Sequence, residues 1–176
     1  MGWLDNLLGK RPDPTVQWGP HQPPYPLADV EGRSFGALKF GDPVEAAAFL
    51  GKPEISEYKD YLNYQQLRYL KGGFEVGFEK EKFSYLVFFI GPDKYNLNNS
   101  AIEFSRPRLR WGKIENQELT PAMRPADIQA IFGAPAETDE EADESSLTYR
   151  HQGMTVEFDF DAEKKLKRCD IFPVKQ

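Results

Sequence analysis

The chain has 176 residues, 40% of them hydrophobic, with 28 acidic against 22 basic side chains and a formal net charge of −6. That length suits one domain or two small fused ones around an ordinary core, and the acidic balance argues against general binding to nucleic acid or to an anionic membrane surface. The lone cysteine, Cys169, excludes an internal disulfide, and with only His21 and His151 besides it the chain offers no metal-ligand spacing, so no metal and no cofactor are expected.

At the N-terminus, Trp3, Leu4, Leu7 and Leu8 share one face of a short amphipathic helix over residues 1–10, either a cap on the core or a docking peptide. The segment has no basic n-region and no apolar run, so no secretory signal is expected. No stretch approaches the roughly 18 apolar residues of a membrane helix, and a cytoplasmic protein without integral membrane association is the expectation. Residues 11–35 form a Pro-rich lead, with six prolines between Arg11 and Pro26, and Trp18 and Tyr25 lay it on the body of the protein.

From residue 36 onward the chain repeats itself. Pro43, Glu45, Phe49, Leu50, Gly51 and Pro53 recur as Pro125, Asp127, Ile131, Phe132, Gly133 and Pro135, about 80 residues later. In each copy Pro opens a short helix and Gly followed by Pro closes it. The segment Leu67-Arg68-Tyr69 then Gly73-Phe74-Glu75-Val76-Gly77-Phe78 recurs as Leu147-Thr148-Tyr149 then Gly153-Met154-Thr155-Val156-Glu157-Phe158. Apolar residues alternate with polar ones in both, the period of half-buried antiparallel strands, and Phe83–Ile90 and Leu166–Phe172 supply a strand after each. The expected fold is α+β, two tandem helix-plus-antiparallel-strand repeats over residues 36–116 and 117–176.

The repeats differ in the loop after the helix. Residues 54–64 of the first carry Tyr58, Tyr61 and Tyr64; residues 137–146 of the second carry Glu137, Asp139, Glu140, Glu141, Asp143 and Glu144. Tyrosines supply contact area at low entropic cost and clustered carboxylates steer basic partners, so together these loops form a candidate protein-binding edge. Taken singly, each also fits a packed extension or a solvated loop. A second candidate surface is the strand Phe83–Ile90, where Phe83, Tyr85, Val87 and Phe89 form an apolar stripe on the face away from the core, either covered within the chain or open to a partner.

Between the repeats, Ile102–Trp111 is expected to add a fourth strand to the first sheet, interrupted at Pro107 and hence at an edge or bulge. Arg106, Arg108, Arg110 and Lys113 make it basic, as a solvated edge or a ligand site. The acidic excess falls in the second repeat, with thirteen acids against seven bases after residue 116. No nucleophile elbow, P-loop or dinucleotide fingerprint occurs. Glu157 and Asp159 share a strand face and would need a cleft to act as acid and base, so no enzyme is expected.

The run Leu119-Thr120-Pro121-Ala122-Met123, with Ile128, Phe132, Gly133 and Pro135 following, resembles the signature of SmpA/OmlA (BamE-type) domains, with Ala122 where that family has Gly. Two such units in tandem resemble the β-lactamase inhibitor protein (BLIP-like) fold, which implies a curved sheet with helices on one face and the other offered to a protein. The resulting expectation is a non-catalytic cytoplasmic inhibitor of the immunity type, binding a basic toxin or enzyme. A BamE-like assembly adaptor and an enzyme or small-ligand binder are the alternatives.

Overall fold

The computed structural model describes residues 13–21, 23–59, 62–92 and 102–174. The amphipathic helix expected over residues 1–10 lies outside them, as does Tyr61. Among the described residues thirteen strands run in chain order: β1 (Ala28–Asp29), β2 (Ser34–Phe35), β3 (Leu38–Lys39), β4 (Ile55–Lys59), β5 (Tyr64–Tyr69), β6 (Phe74–Glu79), β7 (Lys82–Phe89), β8 (Arg108–Trp111), β9 (Ile114–Glu118), β10 (Glu137–Glu140), β11 (Ser145–His151), β12 (Met154–Phe160) and β13 (Leu166–Pro173). They form a five-stranded sheet, β3-β2-β1-β8-β9, and an eight-stranded sheet, β10-β11-β12-β13-β7-β6-β5-β4.

This architecture overturns the expected α+β class. The protein is mostly β, 46% strand and 15% helix, and one α-helix, α1 (Pro125–Phe132), occurs among the described residues. Val44–Leu50, the first expected helix, is a 3-10 helix. It is short and pinned between Pro43 and Gly51, whose φ of 78° breaks the helix. The layer facing the large sheet is therefore chiefly a second sheet rather than helices on one face. Its strands come from the end of the Pro-rich lead and the residues just after it, β1 to β3, and from the connector, β8 and β9, with β1 pairing in parallel with β8. The strand expected between the repeats is β8, and it lies inside the small sheet instead of at the edge of the large one.

The large sheet is two four-stranded meanders, β4 to β7 and β10 to β13, joined where β7 and β13 pair antiparallel. Its inner face carries Leu67, Tyr69, Phe74, Val76, Phe78, Leu86, Phe88, Met154, Val156, Phe158, Cys169 and Ile171, all buried in one core with Ala28, Val30, Phe35, Leu38 and Leu109 of the small sheet. Rings bridge the layers: Phe74 lies 5.2 Å from Phe35, Trp111 5.6 Å from Tyr149, and Phe132 of α1 5.3 Å from Phe158. Two tyrosines at matching positions close the helix ends. Tyr69 donates to the Gly51 carbonyl at 2.9 Å and Tyr149 to the Gly133 carbonyl at 3.0 Å, satisfying backbone acceptors that the helices leave orphaned.

Candidate functional site

The outer face of the large sheet holds the chemistry. Strand register lines its side chains into transverse rows. One runs Glu137, Thr148, Glu157, Asp170, Val87, Glu75, Arg68, Ile55; beside it run Arg150, Thr155, Phe172 on one half of the sheet and Tyr85, Gly77, Gln66, Glu57 on the other. Inner-face alternation forces these residues outward, because side chains of a strand point to opposite faces in turn.

A bulge sets the aromatic half of this face. Against β6, Phe78 pairs with Phe83 while Gly77 pairs with Tyr85, so Ser84 is an extra residue. Its hydroxyl donates to the Gly77 carbonyl at 3.2 Å and accepts from the Glu79 N–H at 3.1 Å. The extra residue reverses the alternation expected for this strand. Phe83 turns inward, fully buried and stacked on Phe40 at 4.2 Å, and so leaves the stripe of which it was expected to be part. Tyr85 remains on the outer face, its ring over Gly77, where a Cβ would run into Tyr85 Cε1.

Tyr85 is fixed from several sides. Its hydroxyl donates to Glu75 Oε1 at 2.5 Å, while Arg68 Nε donates to Glu75 Oε2 at 2.7 Å. Tyr64 stacks parallel to it, centroids 5.9 Å apart, and their hydroxyls meet. Lys59 reaches over the Tyr64 ring at 5.9 Å. Burial, and then the neighbouring Glu75 charge, push the Tyr85 hydroxyl far above its usual range, so it stays a neutral donor. Burial likewise raises Tyr64. Phe89 is buried at the far end of β7.

The second half of the face is ionic. Arg168 donates to Asp170 from both Nε, at 2.9 Å, and Nη2, at 2.6 Å, and its Nε also lies 3.2 Å from Asp159. Glu157 stands beside Asp170 and Asp159 stands beside Arg168 across the β12–β13 pair, so Asp159 and Asp170 share one guanidinium with Glu157 next to them. Burial and then Asp159 raise Glu157. Asp170 is pushed up to about 7, chiefly by burial; Arg168 opposes the shift, and Asp159 and Glu157 add to it. Glu157, Asp159 and Arg168 border a depression of about 290 Å³, lined also by Asp139, Glu141, Glu144, Ser145, Ser146 and Lys167. Glu157 and Asp159 thus have the cleft that strand position alone could not supply.

A pH dependence follows. The folded protein holds the Asp170 proton more tightly than the unfolded chain, whose Asp titrates near 3.9, so this contribution to stability is full in acid and declines as pH rises from about 4 toward 7. Asp170→Asn has no such proton to lose. It is expected to flatten the fall in melting temperature between about pH 4 and 7, and an unchanged slope would refute the assignment.

The two divergent segments are separated. Both contain strands rather than loops: β4, with Tyr58, and β10, with Glu137, Asp139 and Glu140, are the opposite edges of the large sheet. Seven strand steps of about 4.8 Å put them roughly 34 Å apart, so they do not make one edge. Tyr58 lies on the inner side of β4, donating to Asn63 at 2.8 Å. It borders a groove of about 250 Å³ with Asp13, Pro43 and Gln65. Among the acids, Glu137 pairs with Arg150 at 2.8 Å, Glu140 with Lys164 at 3.3 Å, and Glu144 with the buried Lys167 at 2.7 Å. Glu141 and Asp143 fall in the exposed turn after β10. Sequence reasoning missed Glu75, Arg68, Arg168 and Asp170, whose only signal is the strand register that brings them together.

Among the described residues no group of three or more His, Cys, Asp or Glu is placed to hold a metal ion, and no helix is long and apolar enough to cross a membrane. No family model and no curated protein matches the chain. Among solved structures it is similar to a DUF4309 family protein, YjgB, from Bacillus subtilis subsp. subtilis str. 168. The two are 14% identical over 79% of this chain and 84% of that one, with a TM-score of 0.49.

Proposed function

We propose that the chain is a non-catalytic protein-binding module that engages a basic partner on the outer face of its eight-stranded sheet, as an inhibitor of the immunity type does. One observation carries this reading: a fixed aromatic platform, Tyr64 and Tyr85 locked by Glu75 and Arg68, shares a single face with a carboxylate cluster centred on Asp159 and Asp170. Rigid aromatics with satisfied hydroxyls make anchors at little entropic cost, and clustered carboxylates steer cationic partners. A cytoplasmic location goes with this reading, since the one thiol, Cys169, is free and buried in the core.

The test is affinity capture with the full chain, followed by binding kinetics of variants. Tyr64→Ala is expected to speed dissociation, weakening the complex by about 2 kcal/mol if the platform is the hot spot. Glu137→Gln with Asp139→Asn is expected to slow association and flatten its salt dependence, since rim charges act on the on-rate. The raised Glu157 and Asp170 favour one rival, a small-molecule enzyme using them as acid and base. Failure to capture a protein, together with turnover that Glu157→Gln abolishes, would replace the binding module with that enzyme.

A further inference from the structure

The ion pairs of the fold account for only part of the basic stretch in the connector. Arg110 pairs with Asp29 at 3.1 Å, but Arg106 stands 4.0 Å from Glu118 and is largely exposed, and Arg108 has no ion pair among the described residues. Arg106 and Arg108 border a cleft of about 500 Å³ at one end of the space between the two sheets. Residues 23–26 of the lead make one wall, Phe104 and Pro107 of the connector make the other, and Phe74 and Phe88 of the large sheet lie beneath. Lys71, also without an ion pair, adds a third cation, and Glu118 is the one carboxylate among the described lining residues. The connector wall is fixed. The Glu103 N–H donates to the Leu70 carbonyl at 2.8 Å, and the N–H and hydroxyl of Ser105 donate to the Phe89 carbonyl at 2.8 and 3.2 Å. Phe104, held between these two anchored residues, is nevertheless 52% exposed.

We infer that this cleft binds a small organic anion, a carboxylate carried on an aromatic or short aliphatic body. Its volume falls within the range of small-molecule sites, which combine apolar walls with a few convergent polar groups. Tyr25, Phe104 and the prolines give the body apolar contact, and Lys71, Arg106 and Arg108 at the rim give the carboxylate its counter-charge. An arginine fork is matched to a carboxylate, to which it donates two hydrogen bonds at once. Three cations against one carboxylate invert the sign of the whole chain, whose net charge is −6, so charge complementarity selects an anion at this one place. Phe74 and Phe88 belong to the inner face of the large sheet, while Tyr64 and Tyr85 stand on the outer one. Binding in the cleft therefore goes beyond the binding-module reading and does not rest on it.

The experiment titrates the whole chain with 3-phenylpropanoate, followed by amide chemical shifts, with 3-phenylpropanamide as the neutral control and acetate as the head group alone. Saturable shifts at Tyr25, Gly72, Phe104 and Arg108 are expected with 3-phenylpropanoate, roughly tenfold tighter than with either control. The affinity should fall as salt is added, because the rim cations are exposed to solvent. Arg108→Gln is expected to weaken binding roughly tenfold, the loss of one charge-assisted hydrogen bond, and Phe104→Ala to weaken it measurably. Both side chains are exposed, so an unchanged melting temperature separates lost binding from lost folding. Unsaturable shifts, or shifts confined to other parts of the chain, would overturn the site. Equal affinity for the amide would remove the anion from the inference, equal affinity for acetate would remove the apolar body, and either result overturns it. So would a parent-like affinity in both variants.

Discussion

Phe74→Ala is expected to cost about 3 to 5 kcal/mol, a large part of the stability of a domain this size, and to lower the melting temperature by roughly 6 to 20 °C. Phe74 is fully buried and stands where four parts of the chain meet. It stacks on Tyr69 of β5 at 4.5 Å and meets Tyr25 of the lead at 5.1 Å, Phe35 of the small sheet at 5.2 Å, and Phe88 of β7 at 6.4 Å. Removing the ring leaves a cavity between the layers that neither sheet can collapse to fill. Phe49→Ala, at a ring that is 48% exposed, is the control and should shift the melting temperature little. Equal effects at the two positions would contradict the placement of the core.

Gly77→Ala is expected to destabilise by about 1 to 3 kcal/mol, although alanine is otherwise tolerated in a strand better than glycine. The added methyl would occupy space now filled by the Tyr85 ring. That ring cannot move aside cheaply, because Glu75 and Tyr64 both hold its hydroxyl. The decisive comparison is a double-mutant cycle. In a Tyr85→Ala background the clash is gone, so the cost of Gly77→Ala should fall to nearly nothing, and strict additivity would show that ring and glycine do not interact.

Parts of this fold were legible from composition and spacing because burial on one face writes itself into a strand. Phe74, Val76 and Phe78, and again Met154, Val156 and Phe158, alternate with polar residues and do line the core. The small sheet left no such trace. Its first three strands are two residues long and lie in or beside a proline-rich stretch, too short for a period to appear. The edge strand β10 is exposed along its whole length, so with no buried residues it had the composition of a loop. Ser84 shows a third kind of failure, since one inserted residue reverses the inward and outward order of β7 while the sequence on either side still looks regular. At the candidate site, Tyr64, Tyr85, Glu157 and Asp159 could be singled out as residue types. Their partners Arg68, Glu75, Arg168 and Asp170 could not, because contact between them depends on the register across separate strands.

The large sheet ends at β4 on one side and β10 on the other, and each end presents unpaired backbone donors and acceptors. On β10 three of four residues, Glu137, Asp139 and Glu140, are acidic, and all four are exposed. A second copy docking there edge to edge would bring like charges against one another with no buried apolar row to compensate. Those carboxylates therefore cap the sheet as well as shape its field. Replacing them with valine or threonine would remove the barrier to chain-on-chain strand addition, and a protein that now stops at eight strands would have an edge on which to grow.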